Sequence, residues 1–450
     1  MTLSLLRIAR IAYIIGFAVI TWDRFLVLDV SGFHIKLAYF FLIAATALDW
    51  ADRWRAPREG LPRWRSVAEF FGPIVRPPWV FWLAFAALCF VLTGASDVPK
   101  KSAGYSMWAA FDLIAFAATG ISLFARGRAD ELRWRARLLD GWIGGVALVS
   151  AIAIIDFIAF FFGAREGWIG FYQTRVFEWT QGVLPRPQAF SYEPSYLALA
   201  IAFVQPTLMM RLLLGGASAA GSPARDRWKR DLAQFVIVTG ALAAIFSRTG
   251  FLLLAIEAAL VAAFLFTRVS HGRKAALGGG LAAILVVAFL LMPAAQRRAI
   301  RETFLLPLFH RTDVSMNGRL YVFAEGFRFA KARPWGSGPG TAMKRWLEAH
   351  EPGNRLENFP QNATSMMSVW PEVAAEEGWL GLALAALFFV WLGVHLARNS
   401  SIEARGVFIA YLAVAGVGLL LMPTITRADL WSLLALAGIF AADRPERQMA

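Results

Sequence analysis

Apolar runs of about twenty residues recur along the whole chain, separated by short segments rich in arginine, proline and tryptophan, and that recurrence leaves few folds open. A helix needs about 20 apolar residues to cross a hydrocarbon core about 30 Å thick, and a stack of soluble domains has no use for so many. With 58% hydrophobic and only 17% charged residues over 450 positions, the chain is expected to be an all-α polytopic membrane protein. Twelve candidate spans are read at about 11–29, 33–49, 78–95, 106–125, 140–163, 194–214, 232–247, 250–267, 276–294, 378–397, 406–423 and 429–442. The first run is broken by Asp23 and Arg24 and lacks a small-residue cleavage site, so a retained helix is expected there and not a signal peptide.

With twelve spans, the basic connectors 52–65, 126–139, 224–231 and 268–274 and the tail fall on one side, and the positive-inside rule makes that side cytoplasmic, with both termini. The opposite face then holds two longer connectors, about 164–193 and 295–377. The expected organisation is residues 1–294 as transmembrane helices 1–9, 295–377 as a large extracytoplasmic loop, and 378–450 as helices 10–12 with a cytoplasmic tail. Within the loop, "NGRLYVFAEGFRFAKARP" (317–334) predicts an amphipathic helix with Leu320, Phe323, Phe327 and Ala330 on one stripe, Asn317 or Ser315 as its cap, and Pro334 as its stop. "PWGSGPG" (334–340) reads as a glycine-rich turn.

Several chemistries are disfavoured. The lone Cys89 lies in an apolar run, and the five histidines lack metal-ligand spacing, so no metal site and no cofactor are expected. The net charge of +14 sits beside apolar helices, where it records topology and contact with anionic membrane lipids; nucleic acid is not an expected partner.

Polar residues at the outward helix ends are the remaining candidates. Arg248 stands in "FSRTG", a tight turn between two apolar segments; it either snorkels to headgroups or, with the next helix's N-terminus, forms an anion site. Arg319 follows Asn317 and Gly318 near the expected start of the loop helix, where a guanidinium adds bidentate phosphate recognition to the helix dipole, unless it is an exposed loop arginine. In "RPQAFSYEPSY" (186–196), Glu193-Pro194 can be a helix start alone, or Arg186 can serve as a third cation with Glu193 orienting it or taking a proton. Tyr192, Tyr196 and Arg328 are further candidates for substrate contact. A general base is harder to assign: His34, His310 and His350 read as ordinary surface residues, and Glu372, Glu376 and Glu377 read as charge at a helix N-terminus, unless burial makes one of them basic enough.

Four motifs in this order and topology, "RPQAFSYEPSYLALA", "FSRTGFLLLA", "NGRLYVFAEGFRFAKARPWGSGPG" and "AAEEGWLGLALAALFF", resemble the O-antigen ligase and polysaccharide polymerase superfamily of bacterial inner-membrane glycosyltransferases over about 184–390. The resemblance implies about twelve helices under a periplasmic loop with short amphipathic helices, similar to the family C glycosyltransferases. It also implies metal-independent, inverting transfer of a glycan from undecaprenyl diphosphate at the periplasmic face. By resemblance, Arg248 and Arg319 hold the donor diphosphate, and the partners are lipid-linked donor and acceptor glycans, with a chain-length regulator as a possible further one. Ligases usually carry a histidine about ten residues before the closing glutamate-x-glycine; Met366, Met367 and Ser368 stand there, which leaves Glu193, His350 or Glu376 as the base. "EPSYLA" is closer to the exopolysaccharide and O-antigen polymerases, so the expected activity is polymerisation, with transfer to lipid A core or protein as the alternative and lipid-linked glycan flipping or transport as a second one.

Overall fold

The computed structural model describes residues 4–22, 28–30, 33–55, 79–112, 129–162, 175–179, 182–187, 189–190, 194–215, 223–245, 247–265, 314–349, 368–399 and 402–421, with isolated positions at 119, 272, 279, 283, 286, 294, 297 and 298. In chain order the elements are α1 (Leu5–Ala18), β1 (Leu28–Val30), β2 (Phe33–Ile35), α2 (Leu37–Arg55), α3 (Trp79–Thr93), α4 (Pro99–Asp112), α5 (Ala129–Phe161), β3 (Arg175–Trp179) and β4 (Gly182–Arg186). They continue with α6 (Pro194–Gly215), α7 (Pro223–Ile245), α8 (Arg248–Leu265), α9 (Val314–Ala332), α10 (Ala342–Ala349), α11 (Val369–Asn399) and α12 (Ile402–Leu421).

Helices dominate, and the two antiparallel hairpins β1–β2 and β3–β4 are additions to the expected all-helical fold. Three described helices are long and apolar enough to cross a membrane, over Arg137–Phe160, Tyr196–Leu213 and Val369–Val394; Trp79–Thr93, Gly250–Leu260 and Ile409–Leu420 are shorter apolar helices. The expected span at 429–442 lies outside the described residues, and that at 276–294 is represented by isolated positions only.

The first expected span is corrected. Ser4 caps α1 by accepting from the Arg7 N–H, and Val19 closes it, so the helix is 14 residues long and ends well before residue 29. At 1.5 Å per residue that is about 21 Å, short of a bilayer core. Leu28–Val30 pairs instead with Phe33–Ile35.

The chain divides into two compact units. Unit 1 comprises Met1–Asp49, Gly127–Phe309 and Ser400–Val414. In it α5 packs on α1 and α7, and α6 packs on α7 and α8. Polar side chains knit the apolar helices. The amide of buried Gln205 donates to Thr239 at 3.2 Å, and Thr207 shares a hydrogen bond with Tyr411, both beside Pro206, which lies within the continuous helix. Asp140 of α5 accepts from Arg211 of α6 at 2.7 Å and from Arg230 of α7 at 3.1 Å, with Arg227 at 3.6 Å. Both Asp140 and Arg211 are about four-fifths buried, so Asp140→Asn is expected to cost about 1–2 kcal/mol, between exposed and buried ion pairs. Thermal unfolding in micelles measures it; an unchanged midpoint would show that the staple carries no stability.

Unit 2 comprises Trp50–Arg126, His310–Asn399 and Ala415–Ala450. Here α3 lies between α4 and α11. Trp82 packs on Phe85 and on Phe388 of α11, with ring centroids 4.9 and 5.3 Å away, and its indole N–H donates to the Ala109 carbonyl at 3.3 Å. The loop helix exists as α9 and packs on α11, but its first residue is Val314, so Ser315 and Asn317 lie inside the first turn and do not cap it. Its buried line is also displaced from the expected stripe: Val322, Gly326 and Ala330 are buried, whereas Phe323 and Phe327 are only half-buried. Gly326 is the reason. A Cβ there would meet the Pro371 Cβ at 2.5 Å, so the missing side chain lets α9 approach α11 along a face that a hydrophobicity stripe does not mark.

Candidate active site

In unit 1, Ser247 is the N-cap of α8. Its hydroxyl accepts from the Gly250 N–H at 3.2 Å and its carbonyl from Phe251 at 3.0 Å, which makes Arg248 the first residue of the helix. The first-turn N–H groups of a helix lack carbonyl partners within it and favour an anion, and Arg248 opens that turn, with Ser247 already capping the Gly250 N–H. Gly250 sets the neighbourhood: a Cβ there would lie 2.9 Å from the Ala198 Cβ and 2.7 Å from Leu242. The first turn of α8 is therefore side by side with that of α6, which opens at Pro194. Glu193 and Tyr192 immediately precede that turn and lie outside the described residues, while Tyr196 is half-buried within it. Arg186 is the last residue of β4, in register with Arg175 of β3, and β4 packs on α5 and α7. Between them, buried Ala189 has φ +46° and Phe190 packs on Trp22 at 5.2 Å.

In unit 2, Arg319 is the sixth residue of α9. It is therefore one turn deeper than the expected helix start, and the free N–H groups invoked for it belong to earlier residues. Arg328 is exposed and pairs with Glu325 at 2.6 Å one turn back, with its guanidinium 5.7 Å from the Phe329 ring. Helix α9 then turns at 334–341 and lies back on α11. The glycines of positive φ among the described residues, Gly336, Gly338, Gly340 and Gly378, all belong to this junction.

Glu376 is its centre. One carboxylate oxygen accepts from the Gly340 N–H at 2.7 Å and the other from the Ala342 N–H at 2.9 Å. Its backbone carbonyl accepts from the Ser337 and Gly338 N–H groups at 2.8 and 2.9 Å. The Ser337 hydroxyl donates to the Ala375 carbonyl at 3.0 Å, and the Trp379 N–H to the Pro334 carbonyl at 3.0 Å. The nest made by the glycine-rich turn and the start of α10 is thus filled by the protein's own acidic side chain. Each Glu376 oxygen thus has a backbone donor, which ties the carboxylate to the turn and to the start of α10. Glu377 is buried against Cys89, whose thiol donates to it at 3.8 Å. His350 lies outside the described residues, as do Met366 and Met367.

Residues that the motif reading passed over complete the junction. Ser102 of α4 donates to the Pro339 carbonyl at 2.6 Å, Thr341 to the Gly338 carbonyl at 2.5 Å, and Arg345 to Asp97 at 2.8 Å. Burial, and after it the nearby Glu372 and Glu376 carboxylates, push the Tyr105 phenol up, so it stays protonated at neutral pH. Ser96, Asp97 and Ser102 follow an apolar helix as an ordinary polar connector, and no local signal points them at a turn more than two hundred residues away.

Residues 233–386 match the O-antigen ligase family. The matched stretch, about a third of the chain, supports the O-antigen ligase and polymerase superfamily that the motifs resemble, and three described helices are long and apolar enough to cross a membrane. It includes Arg248, Arg319, Arg328, His350 and Glu376, and leaves Arg186, Tyr192, Glu193 and Tyr196 outside. No curated protein matches the chain.

Proposed function

We propose that the protein is a polysaccharide polymerase of the bacterial inner membrane, moving a growing glycan from undecaprenyl diphosphate onto a non-reducing-end hydroxyl of the next lipid-linked repeat unit at the periplasmic face. The observation that carries the reading is the family match over the stretch that holds both Arg248 and Arg319. The acceptor oxygen forms a bond to the anomeric carbon from the face opposite the diphosphate. The bond from that carbon to the diphosphate oxygen breaks, the configuration inverts, and the hydroxyl proton passes to a base. Negative charge grows on the leaving diphosphate, so the Arg248 and Arg319 guanidiniums stabilise the transition state more than the ground state. Arg186, Tyr192 and Tyr196, which flank the start of α6, are assigned to sugar and phosphate contacts. Glu193, His350 and Glu376 are the candidate bases of this reading; two backbone N–H groups hold the Glu376 carboxylate in place.

The family's description as O-antigen ligase favours a second reading, transfer of a finished glycan to lipid A core or protein. Purified enzyme given a lipid-linked repeat unit and no other acceptor separates the two. A ladder of longer glycans is expected; no ladder, with transfer once lipid A core is added, would establish the ligase.

A further inference from the structure

Glu376 receives four N–H groups from a single stretch, Ser337 and Gly338 at its carbonyl and Gly340 and Ala342 at its carboxylate. Its side chain is buried, with a backbone N–H on each carboxylate oxygen. The carboxylate's grip on Gly340 and Ala342 sets where α10 begins, and α10 carries Trp346, which is fully buried against Val322, Ala342 and Ala375 with Phe329 packed on the cluster. Val322 lies three residues after Arg319, on the next turn of the same helix, where residues three apart are surface neighbours. A mechanical path of packed groups therefore runs from Glu376 through the start of α10 and Trp346 to the turn of α9 beside Arg319. The other end of α9 is tied to the same junction, since Arg333 closes onto the Phe329 carbonyl and Gly336 onto the Arg333 carbonyl, each at 2.9 Å.

We infer that Glu376 is a positioning residue: its carboxylate pins the 334–341 turn and the start of α10 onto α11, and so fixes the helix that carries Arg319. The inference rests on the role given to Arg319 above. It gives the buried carboxylate of "AAEEGW" a task that needs no proton transfer. The requirement is strict because the carboxylate offers two acceptors. Glutamine keeps one and turns a donor toward the second N–H, and aspartate is one methylene too short to reach both. A placement error of about 1 Å at a charge-stabilising group can cost a hundredfold in rate, so a loosened α9 is felt in turnover before it is felt in binding.

The experiment uses the full-length protein in micelles, wild type, Glu376→Gln, Glu376→Asp, Arg319→Ala, Arg319→Lys and the Glu376→Gln/Arg319→Lys pair. Amide exchange of peptides covering 334–349 reads the clamp without reference to activity, and steady-state transfer from the lipid-linked repeat unit reads its consequence. Exchange in Glu376→Gln is expected to rise at least about tenfold. Its kcat per folded molecule should fall at least about tenfold with KM within about twofold, and the pair should be no slower than Arg319→Lys by more than about twofold. Glu376→Asp should lie between wild type and Gln on both readouts, and it decides the matter should the Gln variant fail to accumulate. A purely structural role would lower the folded amount, leave kcat per folded molecule unchanged and overturn the inference. Unchanged exchange would overturn it, as would losses that multiply in the pair. Wild-type turnover in Arg319→Lys and Arg319→Ala would sink the site reading and the positioning role together. Loss in the arginine variants with wild-type turnover in Glu376→Gln would sink the positioning role alone.

Discussion

Arg248→Ala is expected to lower glycan transfer at least about a hundredfold while the protein accumulates in the membrane as wild type does. The size follows from what the group is asked to do. Removing one preorganised donor from a site where negative charge develops costs about 2.7–4 kcal/mol, and a diphosphate leaving group concentrates more charge than a single oxyanion. Arg248 is the first residue of α8, so on the proposed reading the N–H groups of that turn not capped by Ser247 face the same anion and remain after substitution. Their survival is why a residual rate is expected and not zero. Arg248→Lys should recover only a small part, because a point charge cannot reproduce the planar fork that meets two phosphate oxygens at once. Product ladders together with membrane abundance provide the measurement. Near-normal polymer length in Arg248→Ala would remove Arg248 from the mechanism and leave it a snorkelling headgroup contact.

How much of this arrangement was legible beforehand depended on whether the cause was local. Helix α6 was expected at 194–214 and runs Pro194–Gly215, and α3 was expected at 78–95 and runs Trp79–Thr93, because proline at a first helical position and an unbroken apolar run are written in adjacent residues. The turn carrying Arg248 was legible for the same reason. The β1–β2 hairpin was missed because each strand is only three residues long and lies at the edge of an expected span, too short for a period of two to stand out. The buried face of α9 was misread because Gly326, which has no side chain to count, decides it through Pro371. The clamp at Glu376 was illegible in kind. Its partners are backbone N–H groups 34 and 36 residues away, and a backbone donor has no signature in sequence; the "AEEG" positions read as charge near a helix start or as a candidate base, not as a clamp. The site arginines therefore came from pattern, and the scaffold that holds the loop came only from three-dimensional packing.

Gly378→Ala is expected to be the most damaging single-methyl change in unit 2. Gly378 has φ +72° and ψ −170° within α11, a combination open essentially to glycine alone, and it breaks the helix direction between Glu377 and Trp379. Forcing an L-residue into that region costs about 1–3 kcal/mol. The added Cβ would also strike the Pro334 carbonyl oxygen, the Trp335 carbonyl carbon at 2.5 Å and the Gly336 nitrogen at 2.6 Å, all of them backbone that cannot rotate aside. Overpacking of that kind adds about 1–3 kcal/mol, so a total of about 2–6 kcal/mol is expected, enough to unseat the turn from α11. Thermal unfolding in micelles measures the loss, and limited proteolysis within 334–349 should locate it. Gly94→Ala is the matched control: an added Cβ there comes no closer than 3.5 Å to its nearest neighbour, the Val91 carbonyl oxygen, and stability should hold within about 0.5 kcal/mol. The two variants add the same methyl group to the same unit, so a difference between them isolates the backbone geometry at the junction from any general sensitivity to added volume. If Gly378→Ala melted with the control, the break in α11 would be one that an ordinary helix can straighten, and the docking of the glycine-rich turn would have to depend on the Glu376 carboxylate alone.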